Sequence, residues 1–317
     1  MIKKLIAFVI IALPLVIISN KYVVVEKKKY YRIKDYAPRV EYSDNIIKGF
    51  EGNFLGVLVK DQDVDQIFLD PKDRVIGGSI ISSGVWEPHI KHILKQVVKP
   101  SMKVICLGGH VGVHEALISK LVGPAGHVYV FEPNPNILNF LKTNLYFQAE
   151  KNTTLFEKAA YSENTQLKFA SHLNNQNSGG SHIIKSYLPM TEGATEITVD
   201  AVALDSIPDF PKKIDLIQMD IEGAEPDAIY GAQKLLDNSK NLIIIQEWNV
   251  NMMGRERLPD YIKFLRNRGY KFAEIFKDKL VEKNDSELMN LEHTDLIIAK
   301  NLEEIIKDFK PLNHAEL

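Results

Sequence analysis

Short, uninterrupted apolar runs alternate with longer amphipathic stretches through most of the chain. KVICL (103–107) precedes VHEALISKLV (113–122), and HVYVF (127–131) precedes NILNFLKTNLYF (136–147), which Pro135 opens as a first-turn proline. TTLFEKA and EITVDAVAL follow. IDLIQMD (214–220) then leads into EPDAIYGAQKLL (225–236), and NLIIIQE (241–247) into PDYIKFLRNRG (259–269), with YKFAEIF and TDLIIAK last. Within the short runs the apolar residues are consecutive rather than alternating, the mark of strands covered on both faces. The pattern predicts an α/β fold, a mostly parallel, Rossmann-like sheet with helices on both faces. Asn174–His182 (NNQNSGGSH) breaks the alternation and reads as a polar loop.

The amino terminus does not share this pattern. Leu5 to Ile18 is a run of 14 residues without charge behind Lys3 and Lys4. As a helix it reaches about 21 Å, short of a hydrocarbon core of about 30 Å. An uncleaved anchor extends it through Ser19–Val25, with Lys21 snorkelling. A cleaved signal peptide is the alternative, against which Ile17-Ile18-Ser19 is a poor small-x-small site. The expected organisation is a hydrophobic anchor over 1–25, a basic linker and extension over 26–74, a catalytic domain over 75–300 and a tail over 301–317.

Charge sharpens the division. The net charge of −2 conceals nine Lys/Arg against Glu26 and Asp35 in residues 1–40, and a net −9 in the rest. An acidic body argues against nucleic-acid backbone binding. The basic flank after the apolar run places the body on the cytoplasmic side of a membrane and suits contact with anionic lipid. One cysteine, Cys106, excludes an intrachain disulfide.

In such sheets ligands bind beyond the carboxyl ends of the strands, so the residues there carry the chemistry. The first strand runs into Gly108-Gly109-His110-Val111-Gly112 ahead of a helix, where glycines let backbone approach a ligand and free N–H groups face it. Leu107 stands where a dinucleotide-binding G-x-G-x-x-G would have its first glycine, which argues against a nicotinamide enzyme. Glu132 ends the second strand, 20 residues beyond Gly112, the place of an acid that accepts from ribose hydroxyls, with Asn134 beside it. The fourth strand ends at Asp220, followed by Glu222, Gly223 and Glu225. Asp220 is the expected general base and Glu222 the orienting or proton-sharing partner, whereas Glu225 is expected to cap the next helix. Asp220, Glu222 and Glu247 form an alternative set for a hard divalent cation.

FEPNPNILNFLKTNL (131–145) and DLIQMDIEGAEPDAIYGA (215–232) resemble hallmark segments of the FkbM family of S-adenosylmethionine-dependent methyltransferases. The lead-in GVWEPHIKHILKQVVKPSMKVICLGGHVG (84–112) and YIKFLRNRGYKF fit the same pattern, so the resemblance covers roughly residues 75–300. It implies a seven-stranded methyltransferase sheet and methylation of a hydroxyl, often on a sugar or secondary metabolite. Gly108 and Gly112 match the cofactor loop, Glu132 the ribose-binding acid, and Asp220 and Glu222 the acids of a D-x-E-G motif. Glu87 is expected to cover the cofactor.

Three departures stand out. The family usually has an acid at Cys106, a small residue and Asn at Gly109-His110, and Lys at Gln218. Losing the first-strand acid removes a contact toward the methionine amine, worth about 10- to 150-fold in affinity for one charge-assisted hydrogen bond. His110 offers a replacement, and Cys106, counted with Gly109 and Asn134 among the expected cofactor-binding residues, reads as a small buried residue rather than a nucleophile. His182 reads as an ordinary loop histidine, with the acceptor pocket as the alternative; His89 and His92 read as surface residues, and Trp86 and Trp248 as core, with packing on a sugar ring as the alternative. The expected function is O-methylation of a sugar, glycan or lipid-linked acceptor. A weakly active, membrane-tethered binding or scaffold protein is the alternative.

Overall fold

The computed structural model describes residues 23–26, 42–48, 55–70, 72–148, 152–172 and 177–312. The Leu5–Ile18 run and the basic positions from Lys27 to Arg39 lie outside them, and among the described residues no helix is long and apolar enough to cross a membrane. Val23–Glu26 (β1), at the end of the expected anchor segment, is a strand. It begins an antiparallel sheet with Tyr42–Lys48 (β2), Leu55–Asp61 (β3) and Asp65–Leu69 (β4), in that order. Helices Ile76–Ser83 (α1) and Pro88–Val97 (α2) follow. Lys91 on α2 is buried and donates to both carboxylate oxygens of Asp61 at 2.7 and 2.6 Å, tying this sheet to the body.

The main sheet then begins: Lys103–Leu107 (β5), Val113–Val122 (α3), His127–Phe131 (β6), Leu138–Gln148 (α4) and Thr153–Phe156 (β7). A side sheet intervenes, built from Ala159–Ala160 (β8), Thr165–Ser171 (β9), His182–Ile183 (β10) and Thr195–Val202 (β11) in the order β10-β9-β11-β8. Leu216–Met219 (β12), Glu225–Tyr230 (α5), Gln233–Asn238 (α6), Ile243–Asn249 (β13), Val250–Met253 (α7) and Leu258–Arg266 (α8) return to the main sheet. Lys271–Ile275 (β14), Leu280–Lys283 (β15), Asp285–Asn290 (α9), His293–Ala299 (β16) and Leu302–Asp308 (α10) complete it.

Its order is β15-β14-β16-β13-β12-β5-β6-β7, eight strands rather than the seven expected. The extra strand is β15, which folds back on β14 as an antiparallel hairpin at the edge. The five strands from β7 to β13 are parallel, but β16 enters antiparallel between β13 and β14. Runs such as KVICL are continuous because alternate side chains enter different layers. Val104 and Cys106 pack with Val130, Leu216 and Ile245, whereas Ile105 and Leu107 pack with Ile217, Met219 and Ile244. Each fully buried aliphatic side chain contributes about 1.5–3 kcal/mol. Strand order reverses between β5 and β12, which opens a crevice beyond their carboxyl ends.

Candidate active site

A cavity of about 290 Å³ occupies that crevice. Gly108, with φ +86°, turns the chain out of β5; a Cβ there would lie 2.0 Å from the carbonyl oxygen of Asp220 beyond β12. A Cβ on Gly109 would meet Val130 Cγ1 at 2.6 Å. Gly112, at φ +87°, begins α3 in a left-handed conformation. The glycines therefore let two strand ends and a helix start approach one another, which is the backbone geometry a bound ligand needs as well.

Glu132 is buried against this loop. Its carboxylate accepts from the backbone N–H of His110 at 2.9 Å and of Asn134 at 2.8 Å, and burial lifts its pKa to about 7. Each carboxylate oxygen keeps lone-pair capacity for a further donor. His110, whose pKa burial lowers to about 4, is a neutral ring 2.8 Å from Ser178 Oγ, and that hydroxyl donates to Asp73. With its own proton so placed, Ser178 accepts from His110 Nε2–H, which sets the tautomer. Asp73 Oδ1 in turn accepts from Ile76 N–H at 2.9 Å at the start of α1, so the polar loop is latched over the glycine turn. Glu87, at φ +44° just before α2, pairs with His114 Nε2 at 2.8 Å. Burial alone raises the Glu87 pKa, but the hydrogen bond and charge of His114 bring it below the usual value. Glu115 beside it is pushed up to about 8 by burial.

On the far side of the crevice stand Asp220, Glu222 and Glu247, with one oxygen from each within 4.8 Å of the others. Glu222 adopts φ +53° and Gly223 φ +94°, and a Cβ on Gly223 would lie 2.3 Å from Met252 O. The D-x-E-G stretch is thus a tight left-handed turn held against α7, and it aims a glutamate into the cavity at a backbone cost of about 1–3 kcal/mol. Burial, and then the Glu247 charge, hold the Asp220 and Glu222 carboxyls well above the usual range. Glu247 Oε1 lies 2.8 Å from His293 Nε2. Glu225 faces inward instead: it accepts from Ile221 N–H at 3.0 Å, tying the D-x-E-G turn, and α5 has no side-chain cap, so the expected capping of the helix is corrected.

Of the residues singled out for the cofactor and the chemistry, Glu87, Gly108, Gly109, His110, Gly112, Glu132, Asn134, Asp220 and Glu222 all line this cavity. Cys106 does not. It is wholly buried in the apolar layer under α3, and burial pushes its thiol well above the usual range, so an expectation of cofactor contact there is corrected. It lies inside β5 in the layer packed with Val130 and Ile245, and it is the cross-strand partner of Gln218. The resemblance puts an acid at the first position and a lysine at the second. The two departures are therefore one, a facing charge pair replaced by a neutral Cys–Gln pair. His182 does not line the cavity either: it is buried near Gly180 O and Pro189 O at 3.0 and 3.2 Å, as the loop reading has it rather than the acceptor-pocket alternative. Trp248 is core, but Trp86 lines the cavity. His89 is bonded to Asp295 at 2.7 Å and His92 to Lys310 O at 2.6 Å. Sequence reasoning passed over His114, Ser178 and His293; of these only His114, directly after the glycine loop, carried a local signal.

The methyltransferase FkbM domain model matches residues 107–272, just over half of the chain. A protein-L-isoaspartate O-methyltransferase from Methanothrix thermoacetophila is 33% identical over 70 residues, which is 22% of this chain and 33% of that relative; the match thus spans about a third of its length. Among solved structures, a putative O-methyltransferase from Klebsiella pneumoniae is 12% identical, with 73% of this chain and 89% of that chain covered at a TM-score of 0.43. Fibrillarin from Aeropyrum pernix, in complex with S-adenosyl-L-methionine, is 14% identical over 87% of this chain and 99% of that one, at a TM-score of 0.36. The glycine turn, the buried acid at the end of β6 and the switch-point cavity define the class of S-adenosylmethionine-dependent methyltransferases. Within that class, the chain belongs to the FkbM methyltransferase family.

Proposed function

We propose that the protein methylates a hydroxyl oxygen on a sugar, glycan or lipid-linked acceptor, and that its N-terminal segment holds it at a membrane with the catalytic domain facing the cytoplasm. The observation that carries the oxygen acceptor is the placement of Asp220 and Glu222, two half-buried carboxylates facing the cavity across from the glycine turn. A carboxyl group whose pKa burial raises is a stronger base toward a hydroxyl proton as methyl transfer proceeds. The cofactor's sulfonium supplies an activated methyl group. The protein's own part is to bind and align: the Gly108–Gly112 turn offers backbone N–H groups, Glu132 accepts from the ribose hydroxyls, and Glu87 with Trp86 closes the opposite wall.

The membrane reading rests on the Leu5–Ile18 run and its basic flank. The test is methyl transfer by the full-length protein to a panel of hydroxyl-bearing sugars and lipid-linked sugars, beside calorimetric titration of S-adenosylhomocysteine. Asp220→Asn should keep homocysteine-cofactor binding and lose turnover by about 10²–10⁴-fold. Turnover unchanged in both Asp220→Asn and Glu222→Gln would refute the assignment of the base. Absence of cofactor binding in the folded native chain would leave the tethered scaffold as the better account.

A further inference from the structure

Six carboxylates line the cavity: Glu87, Glu115, Glu132, Asp220, Glu222 and Glu247. Lys158, exposed at its rim, is the single Lys or Arg among the described lining residues. The resemblance places a lysine at position 218, beneath Asp220 on the same strand, where this chain has Gln218. A neutral side chain thus lines the cavity at this position. Gln218 is only 5% exposed, lines the cavity, and its Oε1 has no hydrogen-bond partner among the described residues. Gln218 and Ile245 are register partners, so Gln218 lies on the strand face that Glu247, two residues beyond Ile245, also occupies. Glu247 repeats the pattern: Oε1 is bonded to His293, while Oε2 is buried without a partner. Gln218 Oε1 and Glu247 Oε2 are thus two buried acceptor oxygens without a donor among the described residues, on two residues that line the same cavity.

We propose that Asp220, Glu222 and Glu247 bind a hard divalent cation on the cavity wall that Gln218 also lines, with His293 orienting Glu247. Three oxygens within 4.8 Å of one another fit a single ion, since calcium ligands at about 2.3–2.6 Å stand as much as about 5 Å apart and magnesium ligands closer. The donor set is all oxygen, which selects magnesium, manganese or calcium over softer metals. Ligating carboxylates are themselves held by hydrogen bonds, as Glu247 is by His293. Assigning a remaining coordination position to the acceptor oxygen rests on the methyl-transfer reading above; metal binding itself does not.

Mn2+ titrated into the full-length protein, with free Mn2+ followed by electron paramagnetic resonance, tests the site. The native chain should take up one ion, displaced by excess Mg2+ or Ca2+. Glu247→Gln and Glu222→Gln should each weaken uptake by at least about tenfold, and Gln218→Lys should do so by supplying its own cation. The two amide variants remove buried charge rather than add it, so folding is retained, and S-adenosylhomocysteine titration verifies this separately. No Mn2+ uptake by a native chain that binds S-adenosylhomocysteine overturns the site. So does uptake that is equal in all three variants. Failure of S-adenosylhomocysteine binding alone, with Mn2+ uptake and its loss in the variants intact, overturns the methyl-transfer reading and leaves the metal site standing.

Discussion

Replacing Cys106 by Asp is the change the family pattern invites, and the fold makes its outcome specific. Cys106 is 0% exposed and Gln218 5%, and they face each other on adjacent strands. A lone carboxylate at 106 has no partner in its apolar layer, and an uncompensated buried charge costs about 3–5 kcal/mol. Strands lie about 4.8 Å apart. At that separation two opposite charges attract by about 3 kcal/mol at an effective dielectric constant near 20. Cys106→Asp alone should therefore lower stability by about 3–5 kcal/mol, and Gln218→Lys alone by less, because the ammonium can reach the cavity acids. The double variant should recover about 2–3 kcal/mol relative to the sum of the single changes. Urea unfolding of the four proteins by tryptophan fluorescence measures the cycle, with S-adenosylhomocysteine titration in parallel. Additivity to within about 0.5 kcal/mol would refute the idea that the two departures are one. Tighter cofactor binding by Cys106→Asp at no cost in stability would refute the burial of this position away from the cavity.

Further outcomes follow from groups that burial has perturbed. If Glu132, with a pKa of about 7, accepts from the cofactor hydroxyls as proposed, it does so as a carboxylate, and affinity should rise up to tenfold per pH unit below about 7 and level off above it. Calorimetry across that range checks this, and a slope that persists in Glu132→Gln counts against it. For stability the sign runs the other way. Glu115 at about 8 and Glu132 at about 7 sit above the 4.5 of an unfolded glutamate, so between those values the folded chain holds protons that the unfolded chain has lost. Melting temperature should fall as pH rises from about 5 to 8, and a rise would contradict the assignment. Lys91→Ala strands the buried carboxylate of Asp61 and should cost about 3–5 kcal/mol in urea unfolding; a loss below about 1 kcal/mol would show that the pair is solvated. Gly108→Ala forces a Cβ to within 2.0 Å of Asp220 O at φ +86°, so it should abolish cofactor binding or folding, whereas Gly123→Ala, with open space around it, should be tolerated far better.

The alternation of continuous apolar runs with amphipathic stretches was enough to specify parallel strands covered on both faces, because each period reports a local geometry. The glycine turn, Glu132 and the D-x-E-G stretch were legible for the same reason: each lies within a few residues of a strand end, and strand ends are where such sheets bind ligands. What the sequence left open depends on which strands become neighbours. Nothing near Cys106 announces Gln218, 112 positions away; they face one another because β12 docks beside β5 in one register. His293 reaches Glu247 because β16 enters antiparallel, and Asp73 reaches Ser178 across 105 positions of chain. The eighth strand escaped notice because a short edge hairpin carries no periodicity of its own. Local pattern decided the elements and most of the residues at their ends. Register and strand order, set by how the layers bury their side chains, decided that Cys106 faces the core, that Gln218 replaces half of a charge pair, and that three acids from two strand ends converge on one point.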